Sequence, residues 1–148
     1  MWRGGNEQSG FSVSYDAQTR ILYFRMWGTW DEPLAVKYRD AVMMVMRPLT
    51  PERQSFVLAD LTRYPTQKPA VQKYHAELMS RSAGHGIYRS ANLVAATLTS
   101  MQIRRLSQES GVAEFSFFQD EQKAITWLLS DAKADEDAVA KLPGRRRE

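Results

Sequence analysis

"FVLADLTRYPTQKP", residues 56–69, is the stretch on which the reading of this chain turns. Phe56 to Leu61 is apolar except for Asp60, the pattern of a strand covered on both faces, as in a parallel sheet between helices. Polarity then rises at once through Thr62, Arg63 and Tyr64, and Pro69 opens a predicted helix carrying Val71, Tyr74 and Leu78. A buried strand, a short polar loop and a helix make a βα unit.

The same grammar extends in both directions. Upstream, "FSVSYD" (11–16) alternates Phe11, Val13 and Tyr15 with serines, and "DAQT" (16–19) connects it tightly to "RILYFRMWG" (20–28), predicting an antiparallel hairpin. In "GTWDEP" (28–33), Thr29 and Glu32 fit a capping box with Pro33 in the first turn. Leu34, Tyr38, Ala41, Val42 and Val45 follow at helical spacing until Pro48. Met43, Met44 and Met46 read as gap-filling core or as an adaptable binding surface. Downstream, Gly84 closes the second helix and "SANLVAATL" (90–98) is a buried strand. Ser100 is expected to cap a third helix bearing Met101, Ile103 and Leu106 and ending at Gly111. "EFSFF" (114–118) is the last strand, and Asp120 caps a final helix whose inward face is Ile125, Leu128 and Leu129. The expected order is ββαβαβαβα: one α/β domain over residues 11–130, with a five-stranded mixed sheet and about four helices. Residues 1–10 read as an N-terminal extension and 131–148 as a disordered tail.

Composition narrows the function classes. A chain of 148 residues suits one domain. Without cysteine it can form neither a disulfide nor a thiolate metal site, and it has no thiol nucleophile. "MWRGGNEQSG" lacks an apolar leader core, and no run approaches ~18 apolar residues, so a cytoplasmic protein without stable membrane insertion is expected. From Asp131 onward five bases balance five acids, placing the net +3 on the body. "GRRRE" reads as solvated terminus, and no basic stripe with interleaved aromatics suggests a nucleic-acid partner.

In an open α/β sheet, ligands bind beyond the carboxyl ends of the parallel strands. That rule selects Gly28, Thr29 and Trp30, then Asp60, Thr62, Arg63 and Tyr64, then Thr97, Thr99 and Ser100, and lastly Gln119 and Asp120. Asp60 reads as a general base, or as a strand-end carboxylate accepting hydrogen bonds from the next loop. Arg63 reads as an anion ligand, as a partner of Asp60, or as a side chain lying in solvent; Tyr64 reads as loop packing. His75 and His85 lack the second ligand at i, i+4 that makes a helical metal pair. Neither G-x-S-x-G nor G-x-x-x-x-G-K-[ST] occurs, so no cofactor, metal or conventional catalysis is expected.

The hairpin leading into "GTW", the strand "FVLADL" and the terminal "FSFFQDEQKAITWLL" (115–129) resemble the small bacterial SpoIIAA-like proteins of the STAS superfamily over roughly residues 11–130. The resemblance implies a regulatory or protein-interaction role like that of the anti-sigma factor antagonists. Those proteins carry a phosphorylatable serine at the start of the helix after the third strand, within Asp-Ser-Ser-Gly or a close variant. Here Asp60 matches the aspartate, but no serine–glycine pair follows it. Thr66 is the nearest hydroxyl, readable as a phosphosite or as a helix-capping threonine. The related SEC14-type fold implies an alternative, a carrier of a small apolar or lipid-like ligand with a pocket lined by Trp30, Tyr38, Met46 or Tyr64. A homodimer is also expected, because Trp27, Trp30 and the methionine-rich first helix offer more apolar surface than one small sheet needs.

Overall fold

Strand β4 (Ser55–Arg63), the stretch quoted above, lies inside the sheet. It pairs in parallel with β3 (Ile21–Trp27) on one side and β5 (Ile87–Leu93) on the other. In this computed structural model, which describes residues 1–95, 97–111 and 114–130, β6 (Glu114–Phe118) adds in parallel to β5. On the opposite side β2 (Gly10–Asp16) pairs antiparallel with β3. Along the chain lie helices α1 (Glu32–Met46), α2 (Pro69–Ser82), α3 (Thr97–Ser110) and α4 (Glu121–Leu129).

The sheet has six strands where five were expected, because β1 (Trp2–Gly5) pairs antiparallel with β2. "WRGG" shows no alternation, so its sequence carries no strand signal. Tertiary contacts place it. Asn6 Oδ1 accepts from the Gln8 and Ser9 amides to form the turn into β2, and the Phe11 ring packs where only a glycine fits at position 4.

Spatial order follows chain order, β1 to β6, so the three right-handed crossovers put α1, α2 and α3 on one face. Alternation along β4 divides its side chains between two cores. Val57, Ala59 and Leu61 join Phe11, Val13, Leu22, Val42, Val71 and Ile103 beneath α1–α3. Leu58 joins Ile21, Ala91 and Leu93 beneath Ala124 and Leu128 of α4, with Phe56 packed against them. Both faces of β4 are thus covered, as its unbroken apolar run demands.

Helix ends differ in detail from the sequence expectation. Asp31, not Thr29, caps α1 and accepts from the Leu34 amide at 3.0 Å. Glu32 is drawn away from a capping box by Tyr74 (2.8 Å) and Lys73 (3.2 Å) on α2. Ser100 lies within the first turn of α3 rather than at its cap. Met101 is 59% exposed and Leu129 43% exposed, so neither belongs to an inward face. The inward residues of α4 are Ala124 and Leu128, four apart, whereas Leu129 is turned ~100° off that line. Asp120 caps α4 as expected, accepting from Gln122 N. The tail from residue 131 onward lies outside the described residues.

Candidate functional site at the carboxyl ends of the parallel strands

Gly28 follows β3 with φ +77°, and a methyl there would collide with the Gln8 carbonyl, so only glycine makes this turn. The turn drives Trp30 inward to 1% exposure. Its ring meets Tyr38 and Tyr64 at 5.1 Å and His75 at 5.4 Å, while Nε1 donates to the Trp27 carbonyl at 3.1 Å. Tyr64, after β4, is equally deep. Its hydroxyl stands 2.6 Å from His75 Nε2, and its carbonyl accepts from Thr99 at 2.9 Å. Burial pushes the His75 imidazole down to about 4 and the Tyr38 phenol well above the usual tyrosine range; Tyr64 is raised likewise, by burial first and then by the neighbouring Tyr38.

Gln67, invisible to the sequence reading as one polar residue in a polar loop, is the tie between the loops. Buried to 2% exposure, it accepts the Trp30 amide at 2.8 Å and donates to the Gly28 and Pro65 carbonyls at 3.0 and 2.8 Å. Its backbone exchanges hydrogen bonds with the side chain of Gln102 on α3, and its carbonyl also accepts from Gln72. One side chain and its own peptide group therefore fasten the β3–α1 and β4–α2 loops to α3.

The residues selected from sequence separate into two sets. Trp30 and Tyr64 are core and present no surface to a partner. Thr29, Thr62, Arg63 and Thr66 are exposed, and Asp60 and Ser100 are half-buried. Asp60 accepts from the Thr62 amide (3.1 Å) and hydroxyl (2.6 Å) and pairs with Arg25 at 3.5 Å, the strand-end arrangement rather than that of a base. Arg63 does not pair with it. Thr66 does not cap α2: the cap residue is Lys68, and no side chain bonds to the helix start.

Behind the aromatic cluster, between the sheet and α1–α3, lies a cavity of about 60 Å³. Phe24, Val57, Leu78 and Ile103 make its apolar wall, and Asn92 and Ser107 are among its polar residues. Tyr38 and Met46 line it, as the carrier reading expected, whereas Trp30 and Tyr64 do not. The buried Tyr38 hydroxyl has no hydrogen-bond partner among the described residues. His75 has Tyr64 as its one hydrogen-bond partner among the described residues and no carboxylate to orient it, so the pair lacks the base–orienter geometry of nucleophilic catalysis. No three potential metal ligands converge among the described residues, and no described helix is long and apolar enough to cross a membrane.

No family model matches the chain, and no curated protein matches it by sequence. Its fold does have solved counterparts. An uncharacterized DUF3478-family protein with a SpoIIAA-like fold from Shewanella loihica superimposes with a TM-score of 0.67 at 18% identity, over 84% of this chain and 98% of the other. An anti-sigma factor antagonist from Mycobacterium paratuberculosis superimposes with a TM-score of 0.54 at 14% identity, over 80% and 93% of the two chains. The α/β fold with its mixed sheet and four helices is SpoIIAA-like.

Proposed function

We propose that this SpoIIAA-like domain is a non-catalytic regulatory module that binds a protein partner through the loops following β3 and β4. The observation that carries this reading is the Gln67 network. It holds two loops in fixed relation while Thr29 and Thr66 stay at the surface, so partner binding would cost little loop ordering. Likeness of fold to an anti-sigma factor antagonist supports it. Thr66 is the residue open to modification: exposed and two positions before the α2 cap, where the helix dipole and Lys68 would favour a phosphate. The test is affinity capture from the native cell, then calorimetry of the purified partner against wild type, Thr29→Arg and Thr66→Asp. A binding loss of about tenfold or more at unchanged melting temperature is expected, the size of a hot-spot substitution. A partner that binds all three proteins alike would sink the loop surface.

The cavity favours the carrier of a small apolar ligand as the second reading. At about 60 Å³ it accommodates a few waters at ~10–15 Å³ each, but falls short of the ~150 Å³ that admits benzene. A lipid-like ligand would have to prise α2 from the sheet, which ranks this reading below the first. Native mass spectrometry of freshly purified protein separates the two: a co-purifying small-molecule mass would favour the carrier.

A further inference from the structure

Helix α4 covers only part of its face of the sheet, seated on Ile21, Leu58, Ala91 and Leu93. Toward β1 the same face carries polar side chains. Cross-strand register sets Arg3 opposite Ser12, Ser12 opposite Arg25, and Arg25 opposite Asp60, so these four form one row across the sheet. The adjacent row pairs Trp27 with Arg63. Arg3, Arg25, Arg63, Ser12, Trp27 and Glu7 line an open groove of about 880 Å³. Arg3 and Arg63 have no carboxylate partner among the described residues, and Arg25, 63% exposed, touches Asp60 only at 3.5 Å, a surface pair of little net energy. Trp27 fixes the groove wall: its Nε1 donates to the Asn6 carbonyl at 2.7 Å, and its ring packs over Gly10.

We infer that this groove docks an extended acidic segment of a partner protein. The inference rests on the interaction reading above and supplies the chemistry of the partner. Three guanidinium groups outnumber the Glu7 carboxylate of the groove wall and the Asp60 carboxylate beside Arg25, which favours anions, and arginine binds carboxylates bidentately. Strands stand ~4.8 Å apart, so Arg3 on β1 and Arg25 on β3 originate ~10 Å apart, close to the ~9 Å between residues i and i+3 of an extended polyproline II segment, whose three residues per turn put both side chains on one face. Discrete carboxylates at that spacing fit between Glu7 and Asp60. A continuous polyphosphate would be opposed by both acids and would gain few neutralised phosphates from three arginines.

The probe is a fluorescein-labelled decapeptide with glutamates three residues apart, followed by fluorescence anisotropy at low ionic strength. A glutamine version, a single-stranded oligonucleotide and phosphatidylserine vesicles are the comparisons. Saturable binding of the glutamate peptide is expected, weakening as salt rises and lost with glutamine. The double variant Arg3→Glu/Arg63→Glu should bind about tenfold or more weakly. The equally charge-reversed Arg47→Glu/Arg53→Glu, remote from the groove, should bind as wild type, and circular dichroism will report whether each variant is folded. Absence of saturable binding, indifference to Arg3→Glu/Arg63→Glu, or tighter binding of oligonucleotide or vesicle would overturn the inference. Because the probe is a free peptide, such a result leaves docking through the Thr29 and Thr66 loops to its own test.

Discussion

His75 is held neutral by its surroundings: the rings of Trp30, Tyr38 and Tyr64 enclose it, and its imidazole is pushed down to about 4 from an ordinary 6.5. Between those values the unfolded chain binds a proton that the folded chain refuses. The stability contributed by neutral His75 is therefore complete above pH 6.5 and declines as pH falls toward 4, by up to about 3 kcal/mol. The half-buried Glu32, its carboxyl lowered first by the Tyr74 hydroxyl and then by Lys73, acts in the same direction but only below its ordinary 4.5. Urea unfolding at intervals from pH 7 to 5 should show the wild-type loss, and His75→Asn should abolish most of the slope. A slope that survives that substitution would assign the effect to other groups.

Among the elements, α4 is held by a residue that the sequence pattern does not mark. Arg89 is buried in β5, its Nε donating to Glu114 at 3.0 Å and Nη1 to the Trp127 carbonyl at 2.7 Å and the Ser130 hydroxyl at 2.6 Å. Its guanidinium also lies 5.1 Å from the centre of the Trp127 ring. It thus supplies the cation and the donors that the carboxyl end of a helix lacks. Glu114 is 41% exposed and solvent-screened, so the greater part of the effect belongs to the helix-end carbonyls. Arg89→Met is expected to cost about 3 kcal/mol in urea unfolding, as for a buried charge with several strong hydrogen bonds. A loss below about 1 kcal/mol would mean that α4 is held by Ala124 and Leu128 alone.

For the whole molecule, the side chains that suggested a homodimer are largely used within one chain. Trp30 and Met46 are each 1% exposed, Trp27 is half-buried, and Met43 packs against the core. Other large apolar side chains remain exposed, among them Trp2, Met44, Met101 and Leu129, but they are scattered over β1, α1, α3 and α4. Scattered apolar residues do not make an interface. Sedimentation is expected to give a 17.0 kDa monomer; a species of twice that mass would show self-association through another surface.

Periodicity was enough to recover the alternation of strands with helices, the opening hairpin, the doubly covered β4 and the Asp120 cap, because local spacing alone decides which residues can share a face. The resemblance carried by "FVLADL" and "FSFFQDEQKAITWLL" agrees with the fold. β1 was illegible because a two-glycine edge strand is made by its partner and its turn, not by its own pattern. The Thr29 and Thr66 caps were misread because capping competes with tertiary bonds: Glu32 turns to α2, and the loop before it is pinned by Gln67. Trp30, Tyr64, Gln67 and Arg89 sit in segments whose polarity or loop position suggests surface. Their burial depends on partners 11 to 41 residues away in sequence, and only the packed chain supplies those partners.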